Sequence, residues 1–141
     1  MKNQNSKDDD GSATLEVHES PKRKKKGSSG GGFESMGLSD AVFQGVKKIG
    51  FRIPTPVQRQ ALPICLSGKD AVVMARTGSG KTAAFVLSIL ERMIAREQQQ
   101  HGEGTNGSSV RALILSPTRE LALQTLRVTQ ILASFTSFIS V

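Results

Sequence analysis

A chain of 141 residues with 37% hydrophobic content has room for one small domain at most, because residues 1–32 offer too few apolar side chains to pack. The formal net charge of +7 favours an anionic partner such as RNA, DNA or a nucleotide, without saying which. A single cysteine excludes a disulfide framework and a cysteine-rich zinc site within the chain. The lack of any apolar run near the ~18 residues of a membrane span, or of a signal-peptide core, points to a soluble intracellular protein with no membrane or disulfide-linked partner.

Residues 1–32 are rich in Lys, Asp, Ser and Gly, and Met1, Ala13, Leu15 and Val17 alone are candidates for burial, so the segment is expected to be a disordered basic tail. Within it Lys22–Lys26 is a basic block suited to importin recognition or to loose phosphate binding, with a solvated tail as the plain alternative. Ser28–Gly32 reads as a flexible linker. Order is expected from Phe33, with Ser39 as N-cap of a helix carrying Val42, Phe43, Val46 and Ile49 at three- and four-residue spacings, stopped by Gly50. Pro54 and Pro56 force an extended approach to a second helix, which continues through Ala61, Leu62, Ile64, Cys65 and Leu66 to Gly68. By themselves these two helices are no more than a packing unit.

Asp70–Met74 is a short apolar run suited to a buried parallel strand, and Ala83–Leu87 opens a helical pattern that extends to about Glu97. Between them lies Ala75-Arg76-Thr77-Gly78-Ser79-Gly80-Lys81-Thr82, which has the form of a phosphate-binding turn. Gly78 and Gly80 permit backbone angles that aim successive N–H groups at an anion, and the following helix adds its positive end. Lys81 would reach the terminal phosphates, and the Thr82 hydroxyl would ligate Mg²⁺. An ordinary Gly/Ser turn followed by an exposed lysine is the bland alternative, and strand, turn and helix in the required order weigh against it.

Gln98–Ser109 has no apolar residue and reads as an exposed loop, in which His101 is a surface residue and not a metal ligand. Val110–Ser116 reads as a second buried strand, ended by Pro117. Thr118–Gln124 opens another helix toward Ala133, and Phe135–Val141 approaches a third strand. Strands alternating with helices imply an α/β fold, an open parallel sheet with helices on both faces.

Three separated stretches, Gly50-Phe51…Pro54-Thr55-Pro56-Val57-Gln58, Ala75–Thr82 and Pro117-Thr118-Arg119-Glu120-Leu121, resemble in order and spacing the Q motif, motif I and motif Ia of DEAD-box RNA helicases. Phe33 is similar to the isolated aromatic upstream of that family's Q motif, and Ala75, where the general pattern has Gly, fits the variant found in helicases. The resemblance implies a RecA-like P-loop lobe over residues 33–141, truncated, with ATP and Mg²⁺ as cofactors. Lys81 and Thr82 would be the catalytic residues and Thr82 the metal ligand. Phe51, Gln58 and Ala75 through Thr82 would hold the nucleotide, with the Gln58 amide paired to adenine and Phe51 against its face. Pro117, Thr118 and Arg119 would line an RNA path, binding phosphates without base choice. The opening Gly-Gly-Phe-Glu-Ser-Met further resembles the nucleolar branch concerned with large ribosomal subunit maturation. It implies pre-ribosomal particles as partners and a nuclear, nucleolar location, with the cytoplasm as the alternative.

The departures are as informative. No acidic run follows the second strand, and the second lobe with its arginine fingers has no counterpart in these residues, so this polypeptide alone is expected to turn over little ATP. A non-catalytic module that binds RNA or a partner without turnover is the rival reading. A P-loop kinase or GTPase predicts neither Gln58 nor the Pro-Thr-Arg-Glu-Leu stretch.

Overall fold

The computed structural model describes residues 31–99 and 110–138, and the backbone of residues 12–16. The basic block Lys22–Lys26, most of the linker, the bulk of the loop including His101, and residues 139–141 lie outside the described residues. In chain order there follow strand β1 (Ser12–Glu16), a single 3₁₀ turn at Phe33–Met36, helices α1 (Asp40–Lys48) and α2 (Pro56–Leu66), strand β2 (Asp70–Met74), and helices α3 (Lys81–Gln99) and α4 (Arg119–Leu132).

The helices begin and end for local reasons. Thr55 caps α2 with a full capping box: its side chain accepts from the Gln58 N–H, and the Gln58 side chain accepts in return from the Thr55 N–H, with Pro56 pre-set at the first helical position. Gly50, at φ 86°, turns the chain out of α1, a left-handed conformation that suits glycine. Thr118 caps α4 by accepting from the Leu121 N–H at 3.3 Å.

Apolar faces of the four helices meet in one core of Phe33, Val42, Val46, Leu62, Val86, Leu87, Leu90, Leu132 and Ala133. α3 packs on α2 and on α4, and α1 fits against α4. The α1–α4 approach is close because Gly45 carries no side chain: a Cβ there would lie 2.1 Å from the Leu132 carbonyl oxygen. At the rim, Phe51 stacks on Phe33 with ring centroids 6.4 Å apart. Glu97 bonds both Arg111, at 2.6 Å, and Ser137, at 3.2 Å, and so clips the chain before and after α4 to the end of α3.

The sheet corrects two expectations. Ser12–Glu16, read as part of the disordered tail, runs parallel to β2 in the register Ser12↔Asp70 to Glu16↔Met74. Local composition judges a segment by what it can bury alone. Here the ladder partner lies far along the chain, and β2 has edge N–H and C=O groups that need partners. Conversely, Val110–Ser116, read as a buried strand, is irregular, with Val110 87%, Leu113 77% and Leu115 84% exposed. A strand exists only with a neighbour, and among the described residues none pairs with it. Val72 and Met74 are also half exposed, so one face of β2 is uncovered among the described residues. Among these residues, no helix is long and apolar enough to cross a membrane.

α1 and α3 are joined through Glu91. Its carboxylate accepts from the Ser39 N–H at 2.7 Å and the Ser39 hydroxyl at 3.0 Å, taking the place of a self-capping serine. Burial pushes the Glu91 pKa up, and the two Ser39 bonds offset this only in part. A carboxyl raised in the folded state binds more protons folded than unfolded. Its contribution is therefore fully present below the unfolded pKa and is lost as pH rises through the folded value. Relative to Glu91→Gln, which keeps an accepting oxygen but cannot titrate, the wild type should lose stability as pH rises through and just above the ordinary carboxylate range. Urea midpoints of both proteins across that range test this, and a constant difference or the opposite slope would refute it.

Candidate nucleotide site

The chain leaves β2 at Met74, turns through Ala75–Gly80 and enters α3 at Lys81, the strand, turn and helix anticipated from sequence. Gly78 and Gly80 have φ of 80° and 95°, in the left-handed region that favours glycine. Around Gly78 a Cβ would meet open space, whereas at Gly80 it would lie 2.6 Å from the Gln58 amide nitrogen. The first glycine is thus needed for conformation, and the second for conformation and for close approach of α2.

Lys81 is folded back into the turn. Its ammonium donates to the Ala75 carbonyl and, at 2.8 Å, to the Arg76 carbonyl. The turn is closed around its own cation, and a phosphate would have to take the ammonium from those carbonyls. Ser79 Oγ is buried with no hydrogen-bond partner. An orphaned hydroxyl inside a glycine turn, beside a lysine, suits an anion that accepts hydrogen bonds, so the residues present fit phosphate. Thr82 is half-buried in the first turn of α3, while Arg76 and Thr77 are exposed. Among the described residues no group of three His, Cys, Asp or Glu gathers as a metal site. Of the turn's side chains, the Thr82 hydroxyl is the oxygen that would face a Mg²⁺ ion held with phosphate.

Gln58 is 3% exposed, and each end of its amide holds one internal bond, which leaves one lone pair and one N–H: Oε1 accepts from the Thr55 N–H at 2.9 Å and Nε2 donates to the Gly80 carbonyl at 3.2 Å. Sequence reasoning assigned this amide to a base and missed both internal bonds. The Thr-x-x-Gln spacing of a capping box was the signal for the first, while the second depends on tertiary contact. Gln58 thereby ties the start of α2 to the phosphate turn, and Arg59 adds a 2.8 Å bond to the Gly31 carbonyl. Phe51, half-buried, packs at the core rim against Phe33.

Pro117, Thr118 and Arg119 are exposed at the start of α4. The Thr118 oxygen is used as the cap, which leaves its O–H free to donate. Arg119 borders a cavity of about 400 Å³ between α3, α4 and the 110–116 segment, lined chiefly by apolar side chains such as Leu90, Met93, Leu113 and Leu126. None of its lining residues belongs to the phosphate turn, so it is not the nucleotide site.

With this geometry in view, relatives decide the family. The sequence profile of DEAD/DEAH box helicases matches residues 55–141. The chain belongs to that family. It is 54% identical over 123 residues to the mouse ATP-dependent RNA helicase DDX54, covering 87% of this chain and 13% of the relative. To the putative DEAD-box ATP-dependent RNA helicase 29 of Arabidopsis thaliana it is 53% identical over 125 residues, 89% of this chain and 14% of the relative. Among solved structures, the helicase Prp28 from Chaetomium thermophilum bound to ADP superposes with TM-score 0.67 at 38% identity, over 78% of this chain and 26% of that one. Dbp5 of S. cerevisiae bound to RNA and ADP BeF3 gives 0.61 at 34% identity, over 74% and 25%. The fold is accordingly part of a RecA-like helicase lobe, and the chain spans about an eighth of the length of these curated helicase relatives.

Proposed function

We propose that this chain is the nucleotide-holding part of the first lobe of an ATP-dependent RNA helicase of the nucleolar, ribosome-building branch. Pre-ribosomal particles would be its setting and the nucleolus its place. The carrying observation is the closed phosphate turn, in which Gln58 and Lys81 both grip the backbone of Ala75–Gly80. ATP would lie with its phosphates on Ala75–Thr82 and its adenine toward Gln58 and Phe51. When bound, Mg²⁺ would supply neutralisation of the β- and γ-phosphate charge beside Thr82. Lys81 would exchange two neutral carbonyl acceptors for charged phosphate oxygens, which makes stronger bonds. Gln58 would present the amide edge that distinguishes adenine from guanine, because a mismatched base leaves buried polar groups unpaired.

Competition between ATP and GTP, with Mg²⁺, tests the reading. ATP should displace a fluorescent adenine nucleotide at concentrations where GTP does not. Gln58→Ala should weaken ATP binding about tenfold, the worth of roughly one buried hydrogen bond. Gln58→Glu keeps the acceptor for the Thr55 N–H, so a helix start preserved by circular dichroism together with lost ATP preference would separate recognition from capping. Equal displacement by GTP would sink the proposal.

RNA is proposed to meet Pro117–Arg119 through its phosphates. Affinity should fall steeply as salt rises and should not depend on base sequence, since backbone contacts carry no sequence information. A fluorescence-anisotropy titration that is flat across a several-fold rise in salt would contradict this.

A binding module without turnover is the second reading. Phosphate release with RNA present decides between them. RNA-stimulated release that is absent in Lys81→Ala would show turnover.

A further inference from the structure

We propose that Arg59 is a positioning residue for the adenine side of the nucleotide site: it clasps the backbone at Gly31, and the segment from Gly31 to Met36 in turn holds the Phe51 ring in place. The Arg59 guanidinium donates to the Gly31 carbonyl at 2.8 Å, across 28 positions of sequence. A cationic donor on a part-buried carbonyl makes a stronger bond than a neutral one. Two residues later Phe33 enters the core at 1% exposure and stacks on Phe51, with the ring planes 19° apart. Between the two, the Gly32 carbonyl closes the 3₁₀ turn by accepting from the Ser35 N–H at 3.3 Å and the Ser35 hydroxyl at 3.0 Å. A Cβ on Gly32 would lie 3.9 Å from the Arg52 carbonyl oxygen, so this strap runs beside the chain just after Phe51.

Gln58 and Arg59 are neighbours in the capped first turn of α2 and reach in two directions. Gln58 ties that turn to the phosphate side at Gly80, and Arg59 ties it to the strap that carries Phe33. The contacts close on themselves: Phe51 leads through Thr55 into α2, α2 holds Gly31 through Arg59, and Gly31 leads through Phe33 back to Phe51. A ring held in this way is ordered before a ligand arrives, which lowers the cost of binding. Without the clasp the Phe51 orientation is no longer set, and an aromatic contact depends on orientation. That Phe51 meets adenine rests on the function proposed above; the clasp itself does not.

The experiment titrates the full chain with Mg²⁺–ATP and with Mg²⁺–tripolyphosphate, which offers phosphates and no base. Arg59→Met keeps the apolar stem of the side chain and removes the donor. It should weaken ATP binding about three- to tenfold, the worth of roughly one aromatic contact, and leave tripolyphosphate binding unchanged. Arg59→Lys, whose ammonium can serve the single carbonyl, should restore most of the loss. Phe33→Leu should show the same base-dependent loss, and the double variant with Arg59→Met should lose little more than the larger single effect, since both act on one ring. Equal weakening of ATP and tripolyphosphate, no weakening at all, a lysine variant no better than methionine, or full additivity would each overturn the proposal. Wild-type protein that binds ATP no better than tripolyphosphate would instead refute the adenine reading, and amide exchange then decides the clasp by itself. Faster exchange at Ser35 in Arg59→Met, reversed in Arg59→Lys, would keep the clasp, and unchanged exchange would reject it.

Discussion

Lys81→Ala should weaken Mg²⁺–ATP binding by about 10- to 100-fold, the largest loss expected from any single change in the turn. A charge-assisted hydrogen bond is worth about 1.5–3 kcal/mol, and each 1.4 kcal/mol is a factor of ten in affinity. The loss stays below the sum of two such bonds because the ammonium is not idle before binding. It gives up the Ala75 and Arg76 carbonyls when it takes phosphate, and only the difference appears in the affinity. Lys81→Arg should recover little, since a planar fork replaces a compact point charge in a turn sized for the latter. Isothermal titration of both variants beside the wild type gives the answer, with a circular-dichroism melt to establish that the helices are intact. An alanine variant that binds ATP as tightly as the wild type would show that the lysine serves the turn and not the ligand.

Gly45→Ala should be the most damaging small substitution in the helical core. On an exposed helix face it would stabilise, since alanine is better than glycine in a helix by about 1 kcal/mol. At Gly45 the new Cβ would meet the Leu132 carbonyl oxygen at 2.1 Å and its carbonyl carbon at 2.8 Å. Those atoms are backbone, so relief requires α4 to move away from α1 and opens the core at Val46 and Leu132. Overpacking of this kind costs about 1–3 kcal/mol, which in a domain of this size lowers Tm by about 4 °C or more per kcal/mol. Gln44→Ala, on the exposed side of the same helix, is the control and should shift Tm little. A Gly45→Ala protein as stable as the control would mean that α1 and α4 do not pack as described.

The local structure of the candidate site was legible in the chain because a turn's conformation is set by adjacent residues. A turn with glycines at 78 and 80 and lysine at 81 carries its conformation in a few consecutive residues, and β2 and α3 flank it within the bounds expected. The Gln58 amide was legible as a polar group with both donor and acceptor, but not as the tie to Gly80, which lies 22 positions away. Phe33 was noticed as an isolated aromatic, yet its burial at 1% exposure and its stacking on Phe51 follow from how the chain entering α1 folds across the core rim.

What the sequence determined by itself is the set of elements whose energy is spent within a few residues: the capped helices, the glycine turn before α3, and the apolar stripes of α1 and α3. Tertiary structure decided the fate of Ser12–Glu16 and Val110–Ser116, whereas β2 was legible from its own apolar run. A helix satisfies its backbone internally, whereas a strand borrows its hydrogen bonds from a neighbour that composition does not reveal. So the apolar run at Val110–Ser116 stays irregular without a partner among the described residues, while the polar Ser12–Glu16 becomes a strand because the edge of β2 is there to receive it.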